Sequence, residues 1–283
     1  MIFGGLAPEF TEYGKSLFVV VPVPYDLTSS YQGGARRGPA AILDASTNME
    51  HYDEELDKET FTCGIHTLGA IEPVASGPAQ MTEVIMQKIS PIVNDGKIPV
   101  LLGGDHSVTL GAVRAVAGAY PELSVLHLDA HADLRDSYQG SPFSHACIGR
   151  RISEFLPLVQ VGIRSMSAPE AVFLKSSSVA SISADAYKKT DIKKKIIGNL
   201  KKDVYITIDL DVFDPSIMPS TGTPEPGGLL WSDVLDIVRE VSKTCNVRGF
   251  DIVELAPIPG IVAPDFLASK LIYRIMGYLT QTG

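Results

Sequence analysis

Short apolar, β-branched runs recur along this chain, separated by segments with helical periodicity, and this alternation constrains the fold more than any other feature of the sequence. The runs are SLFVVVPV at 16–23, IPVLL at 98–102, VLHL ending at 128, LVQVGI at 158–163, VYITIDL at 204–210 and VRGFDIVEL at 247–255, with a weaker candidate at 178–182. Between them, apolar residues fall at helical spacing over 81–93, 110–116, 229–241 and 261–279, and a further helix is expected from Pro169. Runs this continuously apolar suit strands buried on both faces. Strands alternating with helices imply a mainly parallel sheet covered on both sides. Neither a low-complexity linker nor an internal repeat divides the 283 residues, so a single domain spanning 1–283 is expected.

Four of these runs end in groups of chemical interest. His106 follows the second, Asp129, His131 and Asp133 follow the third, Asp209 and Asp211 close the fifth, and Glu254 sits near the end of the last. Open α/β sheets bind ligands at the carboxyl ends of their strands. If Asp-Ala-His-Ala-Asp at 129–133 continues extended, its two carboxylates and imidazole share one face, because residues i, i+2 and i+4 of a strand point the same way. No basic residue lies among them to offset their charge, and a divalent cation is the simplest partner. Leaving Glu254 aside, two imidazoles and four aspartates are too many ligands for one ion with an open position. Four carboxylates balance two divalent ions, and a carboxylate-rich set with two histidines favours Mn²⁺. Such paired ions stand about 3.5–4 Å apart and acidify a water between them.

Other features have plainer readings. The stretch from Pro24 to Ser46 holds Gly33, Gly34 and Gly38, but neither a Gly-x-Gly-x-x-Gly spacing nor a GKS/T ending, so it is expected to be structural or to line a site rather than to cradle phosphate. Tyr25, Asp26 and Tyr31 suit pocket lining and loop packing equally. His66 has no partner at ligand spacing. Ser107 is placed to cap the helix after the second run, and 137–152 reads as a loop. Lys188, Lys189, Lys193, Lys194 and Lys195, with Lys201 and Lys202, read as a solvated helix face. A formal net charge of -9 and the absence of a basic stripe argue against a nucleic-acid partner. Cys63, Cys147 and Cys245 form no CxxC pair and no disulfide framework. The first residues carry no secretory pattern and no run reaches membrane-spanning length, so a cytoplasmic location without a membrane partner is expected.

The motifs GGDHS at 103–107, DAHADLRD at 129–136 and IDLDVFDPSIMPSTGTPEPGG from Ile208 resemble those of the ureohydrolases, the family of arginase, agmatinase and their relatives. GARRGPAAI near the start and DIVEL at 251–255 extend the resemblance over nearly the whole chain. It implies a three-layer α/β/α arginase-like fold, often assembled as trimers or hexamers, with two Mn²⁺ per chain. One metal would be held by His106, Asp129, Asp133 and Asp209, the other by Asp129, His131, Asp209 and Asp211. It also implies that His145 shuttles a proton, that Glu254 receives a substrate guanidinium, and that Thr223 lies on the substrate loop. His145 and Asp211 would bring protons to the leaving amine.

Substrate choice rests on the points of departure from the family. Arg135 stands where arginases carry an asparagine, and Ser167 where they carry an aspartate that holds the α-amino group, whereas Glu170 is retained. Losing the acid that recognises an α-ammonium argues against arginine and for agmatine, cleaved to putrescine and urea. A guanidino acid such as 4-guanidinobutyrate is the alternative if Arg135 points inward. A mononuclear zinc deacetylase would need neither His106 nor Asp133, and a non-catalytic family member should have lost a ligand, yet all six are present.

Overall fold

The computed structural model describes residues 1–189 and 192–281; the side chains of Lys188 and Lys189, part of the basic run, lie outside that description. Its elements run in the order β1 (Phe18–Pro22), α1 (Gly38–Ser46), a two-residue hairpin of β2 (Tyr52–Asp53) and β3 (Lys58–Glu59), β4 (Ile65–Thr67), α2 (Pro78–Asn94), β5 (Ile98–Leu102), α3 (Thr109–Ala119) and β6 (Leu123–Leu128). They continue with α4 (Ile148–Ser153), β7 (Leu158–Ile163), α5 (Ala168–Ser176), β8 (Ala180–Ser183), α6 (Ala184–Lys189), α7 (Lys193–Asn199), β9 (Asp203–Asp209), α8 (Trp231–Thr244), β10 (Asn246–Val253) and α9 (Ala263–Leu279).

Eight strands form one sheet in the order β4-β1-β5-β10-β9-β6-β7-β8. Every pairing within it is parallel. Strand periodicity sends alternate residues to opposite layers. Val20, Leu102, Leu126, Ile206 and Ile252 pack with α1, α8 and α9 on one face. Val19, Val21, Leu101, Val125 and Tyr205 pack with α2, α3 and α4 on the other. The result is the expected three-layer α/β/α arrangement. The late strands β9 and β10 insert between β5 and β6, so the four strands whose ends carry His106, Glu254, Asp209 and Asp129 are neighbours at the middle of the sheet.

Three local expectations are corrected. The strand β6 stops at Leu128, the chain bends at Ala130, and Asp133 takes a left-handed backbone with φ 50°, so Asp-Ala-His-Ala-Asp is not a continuous strand and its side chains do not converge by strand alternation alone. The segment expected as loop at 137–152 contains a 3₁₀ turn at His145–Cys147 and the start of α4. Ser107 is not the cap before α3. The residue before α3 is Val108, which offers no side-chain cap. Ser107 lies in a 3₁₀ turn, His106–Val108, that Asp105 caps, its carboxylate accepting from the Ser107 N–H at 3.1 Å. Of the basic run, Lys194, Lys195, Lys201 and Lys202 are exposed, as a solvated face requires, and Lys193 pairs with Asp236 at 3.0 Å.

Candidate metal centre and substrate pocket

Close backbone packing at the end of β5 comes first, because it sets where His106 stands. Gly103 and Gly104 follow the strand, and a Cβ on Gly104 would lie 1.9 Å from the Tyr25 carbonyl oxygen. The absence of a side chain lets the Asp105 N–H donate to that carbonyl at 2.7 Å, and lets the Glu254 N–H donate to the Gly104 carbonyl at 2.8 Å. Glu254 adopts φ 66° to do so. Left-handed backbone at two non-glycine site residues, Asp133 and Glu254, costs on the order of 1–3 kcal/mol each and persists only where the surroundings hold it.

His106 is fully buried, and its Nδ1 has no hydrogen-bond partner. That nitrogen faces three carboxylates, Asp129 at 3.1 Å, Asp209 at 3.3 Å and Asp133 at 3.4 Å. Its protonation follows from the far side of the ring. Thr207 donates its single proton to Asp251 at 2.6 Å, which leaves the threonine oxygen to accept from His106 Nε2–H at 2.9 Å. A neutral ring would therefore point its Nδ1 lone pair into three acids, a place for a cation or, without one, for a second proton. Burial alone would lower the His106 pKa, but Asp129 and Asp209 outweigh it and raise it well above the ordinary value.

The second half of the cluster lies beside the first. His131 Nδ1 is 2.9 Å from Asp211 and 3.6 Å from the other oxygen of Asp129. Backbone donors fix the acids: the His131 N–H to Asp129 at 2.5 Å, the Ala130 N–H to Asp211 at 3.0 Å and the Asp211 N–H to Asp209 at 2.9 Å. Two compact sets of potential ligand atoms result, His106, His127, Asp129 and Asp133 in one, Asp129, His131 and Asp211 in the other. Asp129 belongs to both. Asp209 reaches His106 but falls outside both sets. Burial and the negative charge of neighbouring acids push Asp133, Asp209, Asp211 and Glu254 above the usual carboxylate range. For Asp129 burial is outweighed by the imidazoles around it, and its pKa is held well below that range.

His127 is the participant that sequence reasoning missed. Both of its ring nitrogens are engaged. Gln160 donates one amide hydrogen to the Ala132 carbonyl at 2.6 Å and the other to His127 Nδ1 at 3.1 Å, so His127 Nε2–H donates to Asp129 at 2.7 Å. It therefore orients a ligand acid rather than offering a free lone pair. The available signal was its position two residues before Asp129, in a strand whose only other polar residue is Ser124.

Above the cluster lies a cavity of about 230 Å³, bounded by His131, Asp133, Asp209, His145 and Glu254 below and by Tyr31, Arg135, Tyr138 and Met166 nearer the surface. Thr223 and Glu170 also line it. One Glu254 oxygen accepts from the His106 N–H at 2.7 Å. His145 touches Thr28, Ser30 and Ser144 through its ring; burial, with the neighbouring His106, lowers its pKa to about 4. Glu170 reaches the pocket wall but spends its carboxylate on the Leu134 N–H at 2.9 Å and on Ser167, whose N–H and hydroxyl it accepts at 2.8 and 2.6 Å. Ser167 and Glu170 are thus the reciprocal cap of α5. Arg135 does line the pocket, stacked 4.8 Å above the Tyr138 ring and 3.8 Å from Glu170. Tyr25 is buried packing, Asp26 pairs with Arg36 in the Gly-rich loop, and His66 is held by the Thr11 carbonyl, clear of the cluster.

A parallel α/β/α sheet whose central strand ends gather buried imidazoles and carboxylates beneath a pocket defines the class of metal-dependent hydrolases. The family model for the arginase family matches residues 16–277, and the chain belongs to that family. It is 40% identical over 278 residues to the N(1)-aminopropylagmatine ureohydrolase of a Synechocystis species, covering 95% of this chain and 90% of that one. It is 36% identical over 262 residues to the agmatinase of Pyrococcus horikoshii, covering 92% and 91%. Among solved structures, the agmatine ureohydrolase of Thermoplasma volcanium superimposes with a TM-score of 0.89 at 33% identity, covering 98% of this chain and 94% of that one.

Proposed function

We propose that this ureohydrolase cleaves a linear guanidinoalkylamine, agmatine in the first instance, to urea and putrescine. The observation that carries this reading is Glu254: a buried carboxylate in the pocket wall, beside the clustered ligands, with one oxygen held by the His106 N–H and the other, near Gly222, without a hydrogen-bond partner among the described residues. Such a group suits a flat cationic guanidinium, which it would bind by charge-assisted hydrogen bonds. His106, Asp129, His131, Asp133, Asp209 and Asp211 would hold two cations, Mn²⁺ in this reading, with Asp129 and Asp209 shared. The bare Nδ1 of His106 amid three acids is the feature that fits them. When bound, the pair supplies the Lewis acidity that makes water a nucleophile at neutral pH.

Hydrolysis adds one water across the C–N bond; its oxygen stays in urea and both of its protons leave with the departing amine. Asp211 lies 2.9 Å from His131, which lines the pocket, and would take the first proton. His145, in the wall, would pass a proton to the leaving nitrogen. Thr223 and Glu170 would shape the path of the alkyl chain. The same reading has the enzyme working in the cytoplasm as a trimer or hexamer.

A longer substrate is the second reading. Several relatives at 40–41% identity carry the name N(1)-aminopropylagmatine ureohydrolase. Arg135 lines the cavity, the condition that would favour a guanidino acid, but the Glu170 carboxylate 3.8 Å away offsets its charge. The inner nitrogen of an aminopropyl extension is itself an ammonium where agmatine ends, so Arg135 meets both substrates alike, and the relatives' names carry this second reading. Urea release from Mn²⁺-loaded protein should be compared across agmatine, N(1)-aminopropylagmatine, arginine and 4-guanidinobutyrate. Either of the first two should lead arginine by at least about tenfold in kcat/KM, the order expected for a missing charged contact. Arginine or the guanidino acid in first place would overturn the substrate assignment.

A further inference from the structure

His145 belongs to no element of the central sheet, yet its backbone and both ring nitrogens meet hydroxyl groups. Its backbone N–H donates to Thr28 Oγ1 at 3.0 Å, and its ring Nδ1 lies 3.3 Å from the same oxygen. Behind Thr28 stands Asp105, fully buried. One Asp105 oxygen accepts the Thr28 N–H and hydroxyl, each at 2.8 Å; the other accepts the Ser107 N–H at 3.1 Å and its hydroxyl at 2.5 Å. With two donors on each oxygen, the carboxylate acts purely as an acceptor. The only proton of the Thr28 hydroxyl is therefore spent on Asp105, and its oxygen can only accept toward His145.

We propose that Thr28, directed by Asp105, is a positioning residue that holds His145 as the tautomer protonated at Nδ1, leaving the Nε2 lone pair on the pocket side beside Ser30. The same logic governs His106, where Asp251 takes the proton of Thr207 and Thr207 accepts the ring N–H. Two Asp–Thr–His chains thus reach the site from different parts of the fold, each reserving one ring nitrogen of its histidine for a proton. Ser144 Oγ also lies 3.3 Å from Nδ1 and could donate to it. That alternative would set the Nδ1 lone pair against the filled lone pairs of Thr28 Oγ1, so Ser144 serves as a second acceptor instead. Ser30 Oγ, 3.4 Å from Nε2, can donate to the opposite nitrogen. An imidazole held this way can take up a proton only at Nε2, the nitrogen beside Ser30.

The kinetic consequence rests on the proposed role of His145; the tautomer does not. The chain has six histidines, so nitrogen-15 NMR of histidine-labelled, metal-free protein is tractable, with the His145→Asn variant providing the assignment. Wild type and Thr28→Ser should show a protonated Nδ1 and a bare Nε2 at neutral pH. Thr28→Val, which keeps the shape and removes the acceptor, should shift the ring toward the other tautomer. In loaded enzyme, Thr28→Val should lower kcat on the order of tenfold with little change in KM, and Thr28→Ser should restore it. A protonated Nε2 in wild type, or an unchanged Nδ1–H signature in Thr28→Val, overturns the inference. Full turnover by His145→Asn, with the tautomer as described, would instead remove His145 from the reaction and leave the positioning intact.

Discussion

Gln160 shows how much at this site depends on single groups that no motif marks. It has one amide nitrogen and spends both hydrogens, on the Ala132 carbonyl and on His127. Replacing it with leucine leaves two buried acceptors unpaired and frees His127 to change tautomer. Gln160→Leu should cost about 1–3 kcal/mol of stability and weaken metal binding about 10–100-fold, the usual effect of losing a group that orients a ligand. Denaturant titration of metal-free protein checks the first figure and competition with a chelator the second; unchanged chelator competition would detach His127 from the metal centre. The six residues expected as ligands were legible because each follows an apolar run, where acids and histidines are conspicuous. Gln160 and His127 were not, because a polar side chain inside a buried strand looks the same whether it packs quietly or steers a neighbour. Asp105, Thr28, Thr207 and Asp251 were invisible for the same reason: their work is hydrogen bonding across distant segments, and sequence spacing does not encode it.

Elements with one strong periodicity were read from sequence close to their true limits. The run 98–102 is β5 and 158–163 is β7, because every one of their side chains is apolar or buried. The helix α4 escaped notice: Gly140 and Pro142 precede it, and only Ile148, Gly149 and Ile152 face the core. The edge strand β4 is three residues long and is defined by backbone pairing with β1 rather than by any side-chain pattern. The first turn of α5 links fold to site, since its cap is Ser167 and Glu170, against which Arg135 rests. Ser167→Ala should cost about 1 kcal/mol, typical of a lost helix cap. It should also loosen Glu170 and Arg135, raising KM more than it lowers kcat. A thermal melt with steady-state urea release measures both, and an unchanged KM would separate Arg135 from substrate handling.

At the scale of the whole molecule, the sheet concentrates like charges at one place, and the metal-free protein must bear them. Asp133, Asp209, Asp211 and Glu254 have pKa values raised by burial and by one another, above ordinary values of 3.8 and 4.5. His106 and His131 are raised above 6.5 because, although burial opposes it, the surrounding acids prevail. A raised pKa means that the folded state binds more protons than the unfolded chain once the pH exceeds the unfolded value. This stabilisation is complete below the unfolded pKa and is lost as pH rises through the folded one. Asp129, held low, contributes in the opposite sense only near and below pH 4. His127 and His145, lowered by burial, act in the opposite sense below 6.5. The metal-free protein should therefore lose stability as pH rises from about 6.5 to 8, and saturating Mn²⁺ should flatten or reverse that slope, because bound cations replace the protons. Denaturation midpoints across that range with and without metal decide it; parallel curves would contradict a cation-balanced cluster.

We propose that this cluster holds two ions, with Asp129 shared by both. Elemental analysis of Mn²⁺-loaded protein, freed of unbound metal, tests it most directly. Wild type should carry about two ions per chain, His106→Asn should lose mainly one of them, and Asp129→Asn should lose both. A single ion in wild type, or two ions retained in Asp129→Asn, would contradict it.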